Sequence, residues 1–239
     1  MLYRIPTRLI LIRHAESIWN KENIYAGWFN TDLTKNGCQQ TKSFANDLIS
    51  KNVIPDAIYT SNQLRAINTG KIISNQLNQV LNTNLSIISN WQLNERHYGL
   101  LTGLNKNLLK DTFGKETVHQ WINTYYGIPP KVKLNNISEY VMENIPNYES
   151  GNYGNNIYFG ESLSMVNDRV IPYYNSTIKK SFNNYQTILI VSHSNTIRVL
   201  VRHIENIDKD KIRSITINNL EPIIYIFNDV PNFIRINNL

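Results

Sequence analysis

Cysteine is all but missing: Cys38 is the single one in 239 residues. A lone thiol closes no intramolecular disulfide, so packing alone must hold the fold, and a reducing compartment is expected. Histidine and cysteine pairs at metal-ligand spacing are missing as well. With neither His-x₃-His nor Cys-x₂-Cys, no catalytic metal is expected. No apolar run approaches the 18 or so residues of a spanning helix, and the opening MLYRIPTR lacks the apolar stretch of a secretion signal. The expectation is a soluble, cytoplasmic protein with no membrane partner. The formal net charge is +6, yet the 24 Lys and Arg never form a run of five. That scatter reads as a solvated basic surface suited to small anions, with no nucleic-acid partner. Linkers and internal repeats are also absent, so one domain spanning 1–239 is expected, with 41% hydrophobic residues enough for a substantial core.

What is present is a repeated design. Leu9 to Ile12 is an apolar run without alternation, as in a strand buried on both faces, and it ends abruptly on Arg13 and His14. Ile188 to Val191 repeats the pattern and ends on Ser192 and His193. Between them, Thr34 is placed to cap a helix reaching about Ser50, residues 57–61 and 85–89 read as strands, and 62–81 reads as a helix. Further on, 106–126 is expected to be helical and to stop before Pro129-Pro130. An Asn-, Gly- and Tyr-rich excursion fills about 131–160, and helices follow over 161–182 and 196–203. Short strands are expected at 214–217 and 223–227. Alternation of strand and helix argues for βαβ units and a mainly parallel sheet, whose carboxyl edge binds ligands.

Arg13-His14, Arg65, Glu95 and His193 each follow a different strand and can therefore meet on one rim. Two guanidiniums can hold a phosphate, a neutral imidazole can attack phosphorus, and a second imidazole can stabilise the equatorial oxygens. Glu95 would protonate the leaving alkoxide, with His97 placed to orient it. Neighbouring arginines argue against a cation in the same place. His119 and His203 read as ordinary surface or core residues.

Four stretches, Arg13-His14-Ala15-Glu16-Ser17 with Trp19-Asn20, Asn94 to Gly99, Gly103 to Lys106, and Ser192 to Asn195, resemble the cofactor-dependent phosphoglycerate mutases of the histidine phosphatase superfamily. The resemblance runs from about Arg8 to Phe227. It implies a three-layer α/β/α fold on a mostly parallel six-stranded sheet and a phosphohistidine on His14. Glu95 would be the acid/base, with His193 as the second catalytic histidine. Arg13, Asn20, Arg65 and Ser194 would bind phosphate, and Ala26, Gly27, Tyr98 and Lys106 would line the substrate end. A dimer or tetramer is also implied.

Departures from that pattern are specific. The mutases carry an Arg-Arg pair after the tryptophan of the helix preceding the Pro-Pro turn, whereas Trp121 is followed by Ile122-Asn123. Losing two charge-assisted contacts of about 1.5 to 3 kcal/mol each costs roughly two to four orders of magnitude in substrate grip. Thr-Gly before the last strand is here Asn219-Leu220, and the glycine after the second histidine is Ser194. The tail after Phe227 is also short. These departures set the expectation: a phosphatase acting on small phosphomonoesters, needing no cofactor. The alternative is a phosphoglycerate mutase dependent on 2,3-bisphosphoglycerate. A non-enzymatic scaffold is disfavoured because the catalytic set is intact.

Overall fold

The computed structural model describes residues 6–131, 160–229, 232–236 and 239. The excursion expected at about 131–160 therefore lies, apart from its two end residues, outside the described residues.

Six strands form one sheet: β1 (Thr7–Arg13), β2 (Ala57–Thr60), β3 (Ile87–Ser89), β4 (Thr187–Ser192), β5 (Ile223–Asp229) and β6 (Asn232–Ile236), in the order β3-β2-β4-β1-β5-β6. The pairings among β1, β2, β3 and β4 are parallel, while β5 runs antiparallel to β1 and β6 antiparallel to β5. The α-helices of four or more residues among the described residues are α1 (Ile18–Lys21), α2 (Lys35–Ser50), α3 (Leu64–Leu81), α4 (Lys106–Phe113), α5 (Lys115–Asn123), α6 (Leu163–Tyr173) and α7 (Ser194–Glu205).

Alternate residues of the central strands feed two cores. Ile10, Ile12, Ile58, Leu189 and Val191 pack against Phe44 and Leu48 of α2 and Ile73 and Leu77 of α3. Leu9, Leu11, Tyr59, Ile188 and Ile190 pack against Leu163, Val166 and Val170 of α6 and Ile197, Leu200 and Val201 of α7. Helices thus cover both faces, which is why the strands carry no polar alternation. The three-layer architecture is the expected one.

Local differences have physical causes. The helix expected over 106–126 is broken at Gly114, where φ is +80°. Pro172 lies inside α6, and the chain continues through a π turn at Tyr174–Ile178, the adjustment that accommodates a missing N–H. Residues 214–217 are not a strand. A 3₁₀ turn occupies Lys209–Ser214, and the carbonyls that follow are taken by arginine side chains: Ile215 O by Arg198 Nε at 2.8 Å and Ile217 O by Arg13 Nη1 at 3.4 Å. The sixth strand is instead β6.

Candidate active site

The register of β1 against β4 creates the site. Arg13 pairs with Ser192, so His14 and His193 leave the sheet side by side, ring centroids 5.0 Å apart and planes at 57°. The backbone of His14 is held from several directions. Its N–H donates to Ser192 O at 2.9 Å, and its carbonyl accepts from Asn219 Nδ2 at 2.5 Å. Next to it, Ala15 N–H donates to Thr69 Oγ1 at 3.1 Å. Asn219-Leu220, the departure from the Thr-Gly pattern, keeps a bend suited to glycine, with Leu220 at φ +57° and its N–H on Arg13 O at 3.0 Å. A side chain there costs about 1 to 2 kcal/mol. Two residues after His14, Glu16 is met by Gly37 of α2 so closely that a Cβ there would overlap the Glu16 carbonyl.

His14 Nδ1 lies 2.7 Å from Ala15 O, and a carbonyl can only accept, so Nδ1 carries the proton and Nε2 keeps its lone pair. Burial, then Arg65 and Arg13, hold the His14 pKa well below the ordinary range, so the ring is neutral. His193 is fully buried and shifted in the same direction by burial, then by Arg65, His14 and Arg13. Its Nε2 is 2.7 Å from Ser61 Oγ, while its Nδ1 is buried without a hydrogen-bond partner. His193 is also the N-cap of α7, whose unpaired amides and dipole favour an anion.

Arg65 follows β2 in the first turn of α3 and is 1% exposed. Its Nη1 donates to Phe29 O at 2.9 Å and its Nη2 to Gly27 O at 2.8 Å, leaving Nε without a partner. Burial pushes this guanidinium down to about 10. Arg13 Nε is likewise buried and unpartnered.

Glu95 is 8% exposed. Its Oε1 accepts from Arg96 N–H at 2.8 Å and its Oε2 lies 3.4 Å from Ser194 Oγ. The hydroxyl at the family's glycine position thus meets the carboxylate. Three residues the motif reading passed over fix the Glu95 backbone. Gln63 Oε1 accepts from its N–H at 2.8 Å, and its carbonyl accepts from Trp28 Nε1 at 2.6 Å and Arg169 Nη2 at 3.0 Å. Gln63 sits at the N-cap of α3 and makes no side-chain cap there, because its amide spans Glu95 N and Gly27 O. An uncapped N-cap glutamine was the one local hint. Arg96 is fully buried and donates to the carbonyls of Glu161, Ile122, Trp121 and Gly127, tying this loop to the end of α5. His97, expected to orient Glu95, turns Nδ1 to the Gly99 amide at 3.0 Å and packs on Trp28. His119 and His203 lie on the surface, as expected.

A narrow cleft of about 50 Å³ collects the expected set: Arg13, His14, Asn20, Ala26, Gly27, Arg65, Glu95, Tyr98, Lys106 and Ser194, with Ile24 and Tyr25. His193 stands against His14. Asn20 spends Oδ1 on the Ser17 amide in the cap of α1. Lys106 Nζ lies 5.4 Å from the centre of the Tyr25 ring, and its pKa is lowered by burial and by Arg13. Among the described residues Glu95 is the only carboxylate lining the cleft, and they contain no cluster of three metal-ligating groups. No helix among them is long and apolar enough to cross a membrane.

Known proteins resemble this chain. The 2,3-bisphosphoglycerate-dependent phosphoglycerate mutase of Hamiltonella defensa is 38% identical over 221 residues, covering 92% of this chain and 86% of its own. The enzyme of that name from Blochmanniella floridana is 39% identical over 222 residues, 93% of each chain. Among solved structures, Bacillus stearothermophilus YhfR superposes with a TM-score of 0.72 over 98% of both chains at 21% identity, a likeness of fold alone. The pattern of the histidine phosphatase superfamily (branch 1) matches residues 9–145 and 133–238. With that match spanning nearly the whole chain and relatives well above 30% identity, the protein is an enzyme of the histidine phosphatase superfamily, branch 1.

Proposed function

We propose that the protein transfers phosphoryl groups through a phosphohistidine on His14 and that its acceptor is a phosphoglycerate, the activity of a 2,3-bisphosphoglycerate-dependent phosphoglycerate mutase. The observation that carries the reading is the protonation pattern of His14: neutral, with Nδ1 spent on Ala15 O, so that Nε2 is the nucleophile. Arg13, Arg65, Asn20 and the α7 N-terminus hold the transferring group, and His193 donates from Nδ1 once Ser61 donates to Nε2. Glu95 protonates the departing alkoxide and takes a proton from the incoming hydroxyl. Ala26, Gly27, Tyr98 and Lys106 hold the glycerate end.

The donor set fits the bisphosphate that the relatives require. Three buried N–H or ring-nitrogen positions without partners lie on Arg13 and Arg65, which line the basic cleft, and on His193, which stands against His14. Arg13, Arg65 and Ser194 would hold one phosphate, and Lys106 stands at the other end. When bound, the bisphosphate supplies the phosphoryl group that primes His14.

A second reading, hydrolysis by a phosphatase, is favoured by Ile122-Asn123. Ile122 is buried in an apolar cluster with Tyr98, and Asn123 is neutral, so the charge of the family's arginine pair is missing from α5. One assay separates the two. Purified protein is given 3-phosphoglycerate with and without 2,3-bisphosphoglycerate, and both 2-phosphoglycerate and inorganic phosphate are measured. The mutase reading expects isomerisation to outrun phosphate release and to depend on the bisphosphate. His14→Ala should abolish both products and any acid-labile phosphoenzyme. Substantial turnover by that variant would overturn the mechanism.

A further inference from the structure

Beside the cleft, behind the Tyr98 phenol that lines it, stands a second cationic centre that the motifs do not predict. Arg213 closes the 3₁₀ turn Lys209–Ser214. Its Nη1 donates to Asn195 Oδ1 at 3.0 Å and its Nη2 to Asn123 Oδ1 at 2.9 Å. Arg198 Nη1 reaches the same Asn195 oxygen at 3.4 Å, and Asn195 Nδ2 donates to Tyr98 Oη at 2.8 Å. One asparagine therefore links a cleft-lining phenol to two guanidiniums.

Neither guanidinium forms an ion pair among the described residues. The ion pairs among the described residues are Arg169 with Glu161 and Arg235 with Glu205, so neither Arg198 nor Arg213 touches a carboxylate among them. Their mutual repulsion adds to burial in holding the Arg198 pKa down to about 10. Two cations sharing one neutral acceptor are a poor arrangement for folding alone and a good one for an anion. Arg213 retains N–H groups beyond the two spent on asparagine oxygens, in a fork that matches a carboxylate. It also touches position 123, where the family pattern places an arginine. Charge missing from α5 is thus returned to the same spot from another segment.

We infer that Arg213, backed by Arg198, binds the second anionic group of the substrate, the carboxylate of a phosphoglycerate, at the Tyr98 side of the cleft. The inference rests on the phosphoglycerate reading above. It names the substrate class as phosphomonoesters that bear a carboxylate, and it explains how a chain without the arginine pair can still hold them.

The test uses two ligands of equal length, 3-phosphoglycerate and glycerol 3-phosphate, which differ in a carboxylate against a hydroxymethyl group. Binding is measured by calorimetry in a His14→Gln background, which cannot be phosphorylated, with Arg213 intact or replaced. Arg213→Gln should weaken 3-phosphoglycerate roughly 10- to 100-fold and glycerol 3-phosphate less than about threefold. Arg213→Lys should recover part of the loss, which separates a charge effect from misfolding. Equal losses on both ligands, or none on either, would overturn the inference. Turnover is read separately on the full-length protein with His14 intact. Carboxylate-selective binding that depends on Arg213, in a protein that isomerises nothing, supports the clamp and refutes the mutase activity. Isomerisation whose KM is untouched by Arg213→Gln does the reverse.

Discussion

Arg65 offers a test in which stability and function should part company. Its cation is held at a cost: burial lowers the guanidinium from its ordinary value down to about 10, a shift worth about 3 kcal/mol against the charged form. Two bonds to the Gly27 and Phe29 carbonyls, at roughly 1.5 to 3 kcal/mol each, offset that cost. Both carbonyls keep another donor when Arg65 is removed, Gln63 Nε2 at 2.6 Å for Gly27 and Thr31 N–H at 3.2 Å for Phe29. Arg65→Met should therefore orphan neither oxygen, and the folding free energy should change by no more than about 2 kcal/mol. Anion binding has no such compensation. A guanidinium giving one or two charge-assisted bonds to a phosphoryl group contributes roughly 10- to 10⁴-fold to its binding and transfer. Thermal unfolding with and without inorganic phosphate, beside kcat/KM on p-nitrophenyl phosphate, measures both quantities. The expected pattern is a ligand-free midpoint near that of the parent, loss of the phosphate-induced rise, and kcat/KM down by at least tenfold. A variant that unfolds far more easily yet keeps the phosphate-induced rise would show that Arg65 is a structural strut, and the reasoning would be refuted.

Acid should destabilise the fold through its buried imidazoles. His97 is pushed down to about 4 by burial, and His14 and His193 are lowered in the same direction. The unfolded chain takes up protons below about 6.5 while the folded one does not, so this stabilisation is complete above that pH and lost as pH falls toward 4. For His97 alone the loss is about 3 kcal/mol, and a urea midpoint unchanged between about pH 7 and pH 5 would contradict it. Glu95→Gln keeps the contact with the Arg96 amide but cannot give up a proton. It should slow phosphoglycerate turnover by ~10² to 10⁴-fold and p-nitrophenyl phosphate far less, because that leaving group needs little protonation. Equal losses would make Glu95 a structural residue.

The sequence by itself determined the layers and the chemistry of the rim. Uninterrupted apolar runs ending on Arg13-His14 and Ser192-His193 are local signals, since burial on both faces of a strand leaves its mark in consecutive residues. Arg65 and Glu95 were legible for the same reason, since each follows closely on a strand whose boundary the chain announces, whereas Tyr98 and Lys106 were legible only through the resemblance to the mutases. Tertiary structure alone decided the register that sets Arg13 against Ser192 and so brings two imidazoles within 5.0 Å. It alone decided that 214–217 is not a strand, because the competing bonds come from Arg13 and Arg198, far away in the chain. Gln63, Arg169 and Arg213 are ordinary polar residues in their own neighbourhoods. What gives them a role is the carbonyl or amide of a distant segment, and a long-range side-chain bond leaves no period or spacing in the sequence to read.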